Sequence, residues 1–128
     1  MIRAAVIVGV VAVLIGAAEW RLAEPSAAAL PPPPTRLQAV ADEFTLTLSR
    51  RWIPNRKVRI ELVNFGEDPH DLRLRRIGGT HTFTMPETLP GERSVKTFRL
   101  PVGRYRVWCA VDGHREWGMH ATLRVGRF

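Results

Sequence analysis

Apolar and polar residues alternate along most of the chain after residue 36. Five short segments show this period of two, namely 44–48, 58–62, 72–74, 105–109 and 121–125, and a sixth, 95–100, follows it less regularly. Such alternation places one row of side chains in a core and the other in water, which is typical of antiparallel β-sheet. Turn residues such as Pro90-Gly91 and Asp112-Gly113 separate the segments. The pattern predicts six to eight strands in an all-β, Greek-key β-sandwich over residues 37–128.

The N-terminus has a different pattern. Arg3 precedes an apolar run from Ala4 to Ala18, which at ~1.5 Å per residue spans about 22 Å, short of a bilayer core of roughly 30 Å. This arrangement predicts a secretory signal peptide over residues 1–20, with an uncleaved membrane anchor as the main alternative. Either interpretation places the remaining chain in the periplasm or elsewhere outside the cytoplasm.

Residues 21–36 form a proline-rich segment with Pro25 and the run from Pro31 to Pro34. Consecutive prolines exclude helix and central strand and favour a polyproline II spacer, although a disordered segment fits equally well. The predicted organisation is therefore a signal or anchor over residues 1–20, a linker over 21–36 and one β domain over 37–128.

Composition limits the possible partners and sites. The 128 residues carry a net charge of +7, which favours an acidic partner, while the basic strands have too few interleaved aromatic residues to suggest nucleic-acid binding. Cys109 is the single cysteine, so an intramolecular disulfide and a four-cysteine zinc site are excluded.

A lone thiol outside the cytoplasm is a liability unless it is buried or bound to metal. Cys109 is followed by His114 five residues later and by Met119 five residues after that. Thiolate, imidazole and thioether ligands together suit copper, because they satisfy Cu(I) and Cu(II) about equally poorly. A fourth ligand must come from another strand, and His70 lies where a loop re-enters one.

The segment from Tyr105 to Met119, with Trp108-Cys109-Ala110 and His114 inside it, resembles the copper loop of the cupredoxins, the plastocyanin and azurin family. The segment from Asn64 to Asp71 resembles the family's first-ligand loop, and the resemblance covers residues 43–128. It implies a cupredoxin fold and one mononuclear type 1 copper ion that cycles between Cu(I) and Cu(II). The implied metal ligands are His70, Cys109, His114 and Met119.

The same resemblance implies roles for residues around the metal. Asn64 is expected to tie the His70 loop to the Cys109 loop. His114 is expected at the surface in an apolar patch, where its ring edge serves as the electron port. Trp117 and Val111 are expected to line that patch, and Arg115 beside it is expected to steer an acidic redox partner.

Three classes of function compete on these residues. The sequence favours an extracytoplasmic, monomeric one-electron carrier that binds redox partner proteins and touches a membrane only through an uncleaved N-terminus. A copper chaperone or storage protein is the alternative, although the chain lacks the methionine- or histidine-rich tracts typical of that class. An enzyme is not expected, because Cys109 is flanked by Trp108 and Ala110 and not by the histidines that link multicopper sites.

Overall fold

The structure, a computed structural model, describes residues 29–54 and 56–127. These residues form nine strands and, within those ranges, no helix. The strands are β1 (Thr35–Asp42), β2 (Thr45–Leu48), β3 (Trp52–Ile53), β4 (Lys57–Asn64), β5 (His70–Arg76), β6 (Thr82–Thr88), β7 (Arg93–Arg99), β8 (Gly103–Trp108) and β9 (His120–Val125).

The strands form two sheets, as the sequence predicts. One sheet has the order β2-β1-β4-β7, and the other has the order β3-β9-β8-β5-β6. The pairing is antiparallel, as the alternation indicates, except at two places, where β1 runs parallel to β4 and β3 runs parallel to β9. Neither pair joins consecutive strands, since β2 and β3 lie between β1 and β4 and five strands lie between β3 and β9, so no short hairpin connects the paired strands.

The core lies between the two sheets and follows the alternation in the sequence. In β8 and the residue after it, Tyr105, Val107 and Cys109 are buried while Arg104 and Arg106 are exposed. Leu72 and Leu74 of β5 repeat the pattern on the neighbouring strand. Cys109 therefore continues an inward-facing row, which places its thiol at the end of the core.

Three strands have no counterpart in the alternation described above. β1 begins at Thr35, two residues inside the segment predicted to be linker, and buries Leu37, Ala39 and Ala41. β3 has two residues, and β6 contains Pro86 and buries Met85. A proline run before β1, a proline within β6 and the short length of β3 each obscure the period of two.

The predicted signal or anchor, residues 1–20, lies outside the described residues, as does most of the predicted linker. In the part of the chain that the structure describes, no helix has the length and apolar character needed to cross a membrane.

The start of β5, the end of β8 and the start of β9 lie together at one end of the second sheet. Trp108 of β8 pairs with His120 of β9, so residues 109–119 form the loop that joins these two strands. Arg73 of β5 pairs with Trp108, which places the start of β5, at His70, beside the start of that loop. Pairing between strands distant in sequence thus brings the two predicted ligand segments together.

Candidate metal centre

Three of the predicted metal ligands lie close together at this end of the second sheet. Within the described residues, His70, Cys109 and His114 form a cluster of donors that could hold a metal ion. The two histidine Nδ1 atoms are 3.1 Å apart, and the Cys109 Sγ lies 3.8 Å from His70 Nδ1 and 3.7 Å from His114 Nδ1. All three side chains are buried.

The size of this triangle suits one metal ion. A point equidistant from the three atoms lies about 2.1 Å from each, close to the ~2.0–2.3 Å bonds that nitrogen and sulfur make to zinc, a metal of the same row as copper. Two imidazoles and one thiolate in a trigonal arrangement are the donor set of blue copper sites. The residues present therefore fit one copper ion.

Met119, the fourth predicted ligand, is fully buried and belongs to the loop that carries Cys109 and His114. Its backbone is bonded to both residues, since the Met119 N–H donates to the His114 carbonyl at 3.0 Å and the Cys109 N–H donates to the Met119 carbonyl at 3.1 Å. The His114 N–H donates in turn to the Val111 carbonyl. These bonds hold three of the four candidate ligands in one compact loop.

Asn64 has a different role from the one expected. Its side-chain amide donates to the carbonyls of Asp68 and Thr88, and its Oδ1 accepts the Gly66 N–H at 2.8 Å. These bonds shape the loop before His70 and anchor it to β6, and none of them reaches the Cys109 loop. Asn64 is the last residue of β4, so its side chain reaches the loop that follows β4 and the end of β6.

Asp71 makes the link that was expected of Asn64. Its Oδ1 accepts the Ala110 N–H at 2.6 Å, and its Oδ2 accepts a bond from Arg73 Nε at 3.0 Å. The carboxylate follows His70 directly, and the amide follows Cys109 directly, so one hydrogen bond fixes the two ligand segments against each other. The sequence signal was present, as an acidic residue next to a candidate ligand.

Sequence reasoning missed Glu43 altogether. This residue lies in the turn between β1 and β2, and its Oε1 is 3.0 Å from His70 Nε2. Hydrogen bonds from the backbone N–H groups of Asp68 and Glu67, helped by the bond with His70, lower the pKa of Glu43 to about 2. The second nitrogen of the buried histidine thus faces a carboxylate.

Burial has the opposite effect at Cys109. Removal from water raises the pKa of the Cys109 thiol above its ordinary value, chiefly by desolvation of the thiolate. The metal-free site therefore holds a protonated thiol at neutral pH. A metal ion must displace that proton in order to bind sulfur.

An aromatic layer covers His114. The ring centroid of Phe44 lies 5.1 Å from that of His114 and 4.6 Å from that of Trp117. His114 itself is 4% exposed, so the expectation that it lies at the surface is wrong, and Trp117, at 60%, supplies the apolar surface instead. Trp117 also lies against Gly113, whose φ of +81° favours glycine and whose added Cβ would meet the indole at 2.8 Å.

Arg115, which was expected to steer an acidic partner, belongs to a set of site loops that are mostly acidic. The site loops, residues 42–44, 65–71 and 109–118, contain seven carboxylates and one basic residue, Arg115. Arg115 stacks over Trp108, with its guanidinium carbon 5.2 Å from the ring centroid. Sequence reasoning used the net charge of the whole chain, which contains no information about where the charges lie.

Comparison with solved structures identifies the fold. An auracyanin B structure matches with a TM-score of 0.62 and 19% identity, over 76% of this chain and 92% of that chain. Auracyanin A, a "blue" copper protein from the green thermophilic photosynthetic bacterium Chloroflexus aurantiacus, matches with a TM-score of 0.60 and 17% identity over 73% and 100%. This chain has the cupredoxin fold.

The cupredoxin fold also occurs in larger proteins. A multicopper oxidase matches with a TM-score of 0.58 and 15% identity, over 75% of this chain and 45% of that chain. No family model and no curated protein matches the sequence. Structural similarity thus identifies the fold, whereas the chemistry of the site depends on the residues of this chain.

Proposed function

We propose that this protein is a mononuclear type 1 copper protein that carries single electrons, with His70, Cys109, His114 and Met119 as ligands. The observation that carries the proposal is the buried triangle of His70, Cys109 and His114 donor atoms. Bound copper would supply a one-electron couple between Cu(I) and Cu(II). The chain's own contribution is to hold the donors in one geometry.

The surroundings of the ligands support such rigidity. Cys109 directly follows one core strand, His70 begins another, and Asp71 joins the two segments through Ala110. Ligands fixed in a closely packed core cannot relax towards the preferred geometry of either copper ion. A site that changes little between oxidation states favours electron transfer over copper release.

Trp117 supports an electron port at this end of the molecule. Its exposed indole lies 5.9 Å from the His114 ring, centroid to centroid, and a second exposed aromatic, Phe65, lies on the other site loop. We infer that a redox partner docks transiently over Trp117. Such redox interfaces are small, which suits rapid release.

Charges of opposite sign lie on different parts of the molecule, with carboxylates on the site loops and arginines on the strands of the second sheet. An acidic partner, which the net charge of +7 favours, would meet Arg75 and Arg106, which pair on neighbouring strands beside Trp108 and Arg115. Basic groups of the partner would meet the carboxylates of the site loops. We propose that this asymmetry orients the partner so that Trp117 faces it.

Copper delivery or storage is the alternative function. It would require ligands that an acceptor can reach, whereas His70, Cys109 and Met119 are fully buried. An oxidase or reductase would need a second metal or substrate site, and Trp108 and Ala110 flank Cys109. We therefore favour the carrier, in a location outside the cytoplasm that rests on the apolar run before residue 20.

Titration of the purified, metal-free protein with Cu(II) tests the metal site. We expect an intense blue absorption and a narrow copper hyperfine splitting at one equivalent. Cys109→Ser should abolish both while the sandwich stays folded, and His114→Ala should alter them. His120→Ala is the matched control, because His120 is exposed on β9 and should leave the spectrum unchanged.

Colourless binding of copper that a chelator removes rapidly would instead favour delivery or storage. Retention of the blue colour in Cys109→Ser would show that the ligand assignment is wrong.

Electron self-exchange tests the carrier function separately from metal binding. Trp117→Glu places a charge on the proposed port, so we expect self-exchange to slow strongly while the copper spectrum changes little. Ile77→Glu is the control, because Ile77 is also exposed but follows the far end of β5. Equal rates in the two variants would place the port elsewhere.

A further inference from the structure

The carboxylate of Glu43 lies in a closely fitted position behind His70. Its Oε1 is 3.0 Å from His70 Nε2 and also accepts the Asp68 N–H at 2.8 Å, while its Oε2 accepts the Glu67 N–H at 2.9 Å. Both oxygens are thus occupied by backbone donors of the loop that leads into His70. The Glu43 side chain is 22% exposed and the His70 side chain is fully buried.

Gly66 shows that the fold reserves space for this carboxylate. A Cβ added at Gly66 would lie 2.5 Å from Glu43 Oε2 and closer still to Oε1. The φ of Gly66 is not in the left-handed region that favours glycine, so its backbone would accept alanine. The atoms nearest to such a Cβ all belong to the Glu43 carboxylate, so this carboxylate is the first obstacle to a side chain at position 66.

The two histidines differ at their second nitrogen. His70 has a carboxylate oxygen within hydrogen-bond distance of Nε2, whereas His114 Nε2 is 3.7 Å from the nearest oxygen of Asp68, whose side chain is 53% exposed. A carboxylate with both oxygens engaged by backbone N–H groups acts as an acceptor towards the imidazole. The proton of neutral His70 then belongs on Nε2, which leaves the Nδ1 lone pair directed at Cys109 and His114.

We propose that Glu43 is a positioning residue for the metal centre, which fixes His70 in the Nε2–H form and adds negative charge behind the ligand. This proposal rests on the proposed copper site. A carboxylate bonded to a ligating imidazole increases its basicity and orients its ring. Greater basicity and nearby negative charge stabilise Cu(II) relative to Cu(I), so Glu43 lowers the reduction potential.

Glu43→Gln tests the contribution of the charge, because the amide keeps the size of the side chain and one oxygen for His70 and Asp68, and gives up only the bond from the Glu67 N–H. We expect the blue spectrum to persist and the ratio of Cu(II) to Cu(I) affinity to fall about tenfold, which raises the potential by ~59 mV for one electron. Glu67→Gln is the matched control, since it removes the same charge from the loop that Glu43 contacts, while Glu67 binds Glu43 only through its backbone N–H. An equal rise in both variants would overturn the proposal.

Gly66→Ala tests the position of the carboxylate. The added methyl group should displace Glu43 and raise the potential in the natural chain, but should have little effect in a Glu43→Ala background, where the space is empty. Such non-additivity is expected only for residues that share a contact. Equal effects of Gly66→Ala in both backgrounds would overturn the proposal.

A measurement on the metal-free protein separates this proposal from the function itself. Long-range nitrogen–proton NMR of the His70 ring should show the proton on Nε2 in the natural chain and a mixture of tautomers in Glu43→Ala. If the natural chain forms no blue site but shows this tautomer pattern, the proposed function fails while the hydrogen bond stands. A His70 proton on Nδ1 in the natural chain would overturn the role of Glu43.

Discussion

At the scale of single residues, contacts with neighbouring residues fix the orientation of the candidate ligands. His70 Nε2 meets Glu43, the His114 ring lies beneath Phe44, and the Cys109 N–H is bonded to Met119. The candidate ligand side chains are therefore ordered by contacts that do not involve metal. Such ordering keeps the donors in place when the charge of the site changes.

Met119 allows the weakest of the proposed bonds to be tested. Met119→Leu fills a similar volume in the core and removes the thioether, which blue copper sites use as a long axial ligand. We expect the blue colour to persist and the reduction potential to rise, because loss of a donor disfavours Cu(II). Voltammetry decides the matter, and an unchanged potential would mean that Met119 serves only as core.

The raised pKa of the Cys109 thiol predicts how metal binding depends on pH. Below that pKa each metal ion must displace the thiol proton, so the apparent affinity should rise about tenfold per pH unit from this residue alone. Competition titrations at several pH values measure the slope. Cys109→Ala should bind more weakly and with a slope lower by one proton, and equal slopes would contradict the assignment of sulfur as a ligand.

At the scale of elements, the site depends on one link between β5 and the loop 109–119. Asp71→Ala leaves the partly buried Ala110 N–H without its acceptor, and we expect a loss of about 1–3 kcal/mol in the free energy of unfolding. Asp71→Asn keeps an acceptor and should lose less. Denaturant unfolding of the metal-free protein measures both variants.

Arg73→Ala is the control for Asp71. Arg73 binds the other oxygen of Asp71, but its side chain is 42% exposed, so its removal should cost at most ~1 kcal/mol. A larger loss for Arg73→Ala than for Asp71→Ala would show that the ion pair, and not the bond to Ala110, stabilises this junction.

The elements also show which features a sequence can reveal. Strands with strict alternation, such as β4 and β8, and ligands that follow a family pattern were predictable because the information is local. The contact of Glu43 with His70 was not, since the two residues are 27 positions apart and meet only after β1 pairs with β4. Phe44 was assigned to a strand, yet its ring lies over His114 for the same reason.

At the scale of the whole molecule, charge is distributed unevenly. The loops around the site contain seven of the ten carboxylates in residues 29–128: Asp42, Glu43, Glu67, Asp68, Asp71, Asp112 and Glu116. The basic residues, apart from Arg115, lie on other segments, and five of them, Arg75, Arg76, Arg104, Arg106 and Arg124, are exposed on strands of the second sheet. A reactant at the proposed port would therefore meet a local charge opposite in sign to the net charge of +7.

Small redox complexes of opposite charge distinguish local charge from net charge. At 0.1 M ionic strength the screening length is about 10 Å, so a reactant over Trp117 responds mainly to the nearby carboxylates. We expect electron transfer with a cationic complex to slow as salt is added, and transfer with an anionic complex to accelerate. Net charge alone predicts the reverse of both trends, so stopped-flow rates over a range of salt concentration decide between them.

Two variants that remove the same charge locate the effect on the surface. Glu116→Gln neutralises an exposed carboxylate in the loop of Trp117, whereas Glu61→Gln neutralises one on β4, where Arg93 pairs with it at 3.2 Å. We expect the salt dependence for the cationic complex to weaken in Glu116→Gln and to stay unchanged in Glu61→Gln. Because both variants carry the same net charge, any difference between them must arise from position. Identical behaviour would mean that electrons do not enter over Trp117.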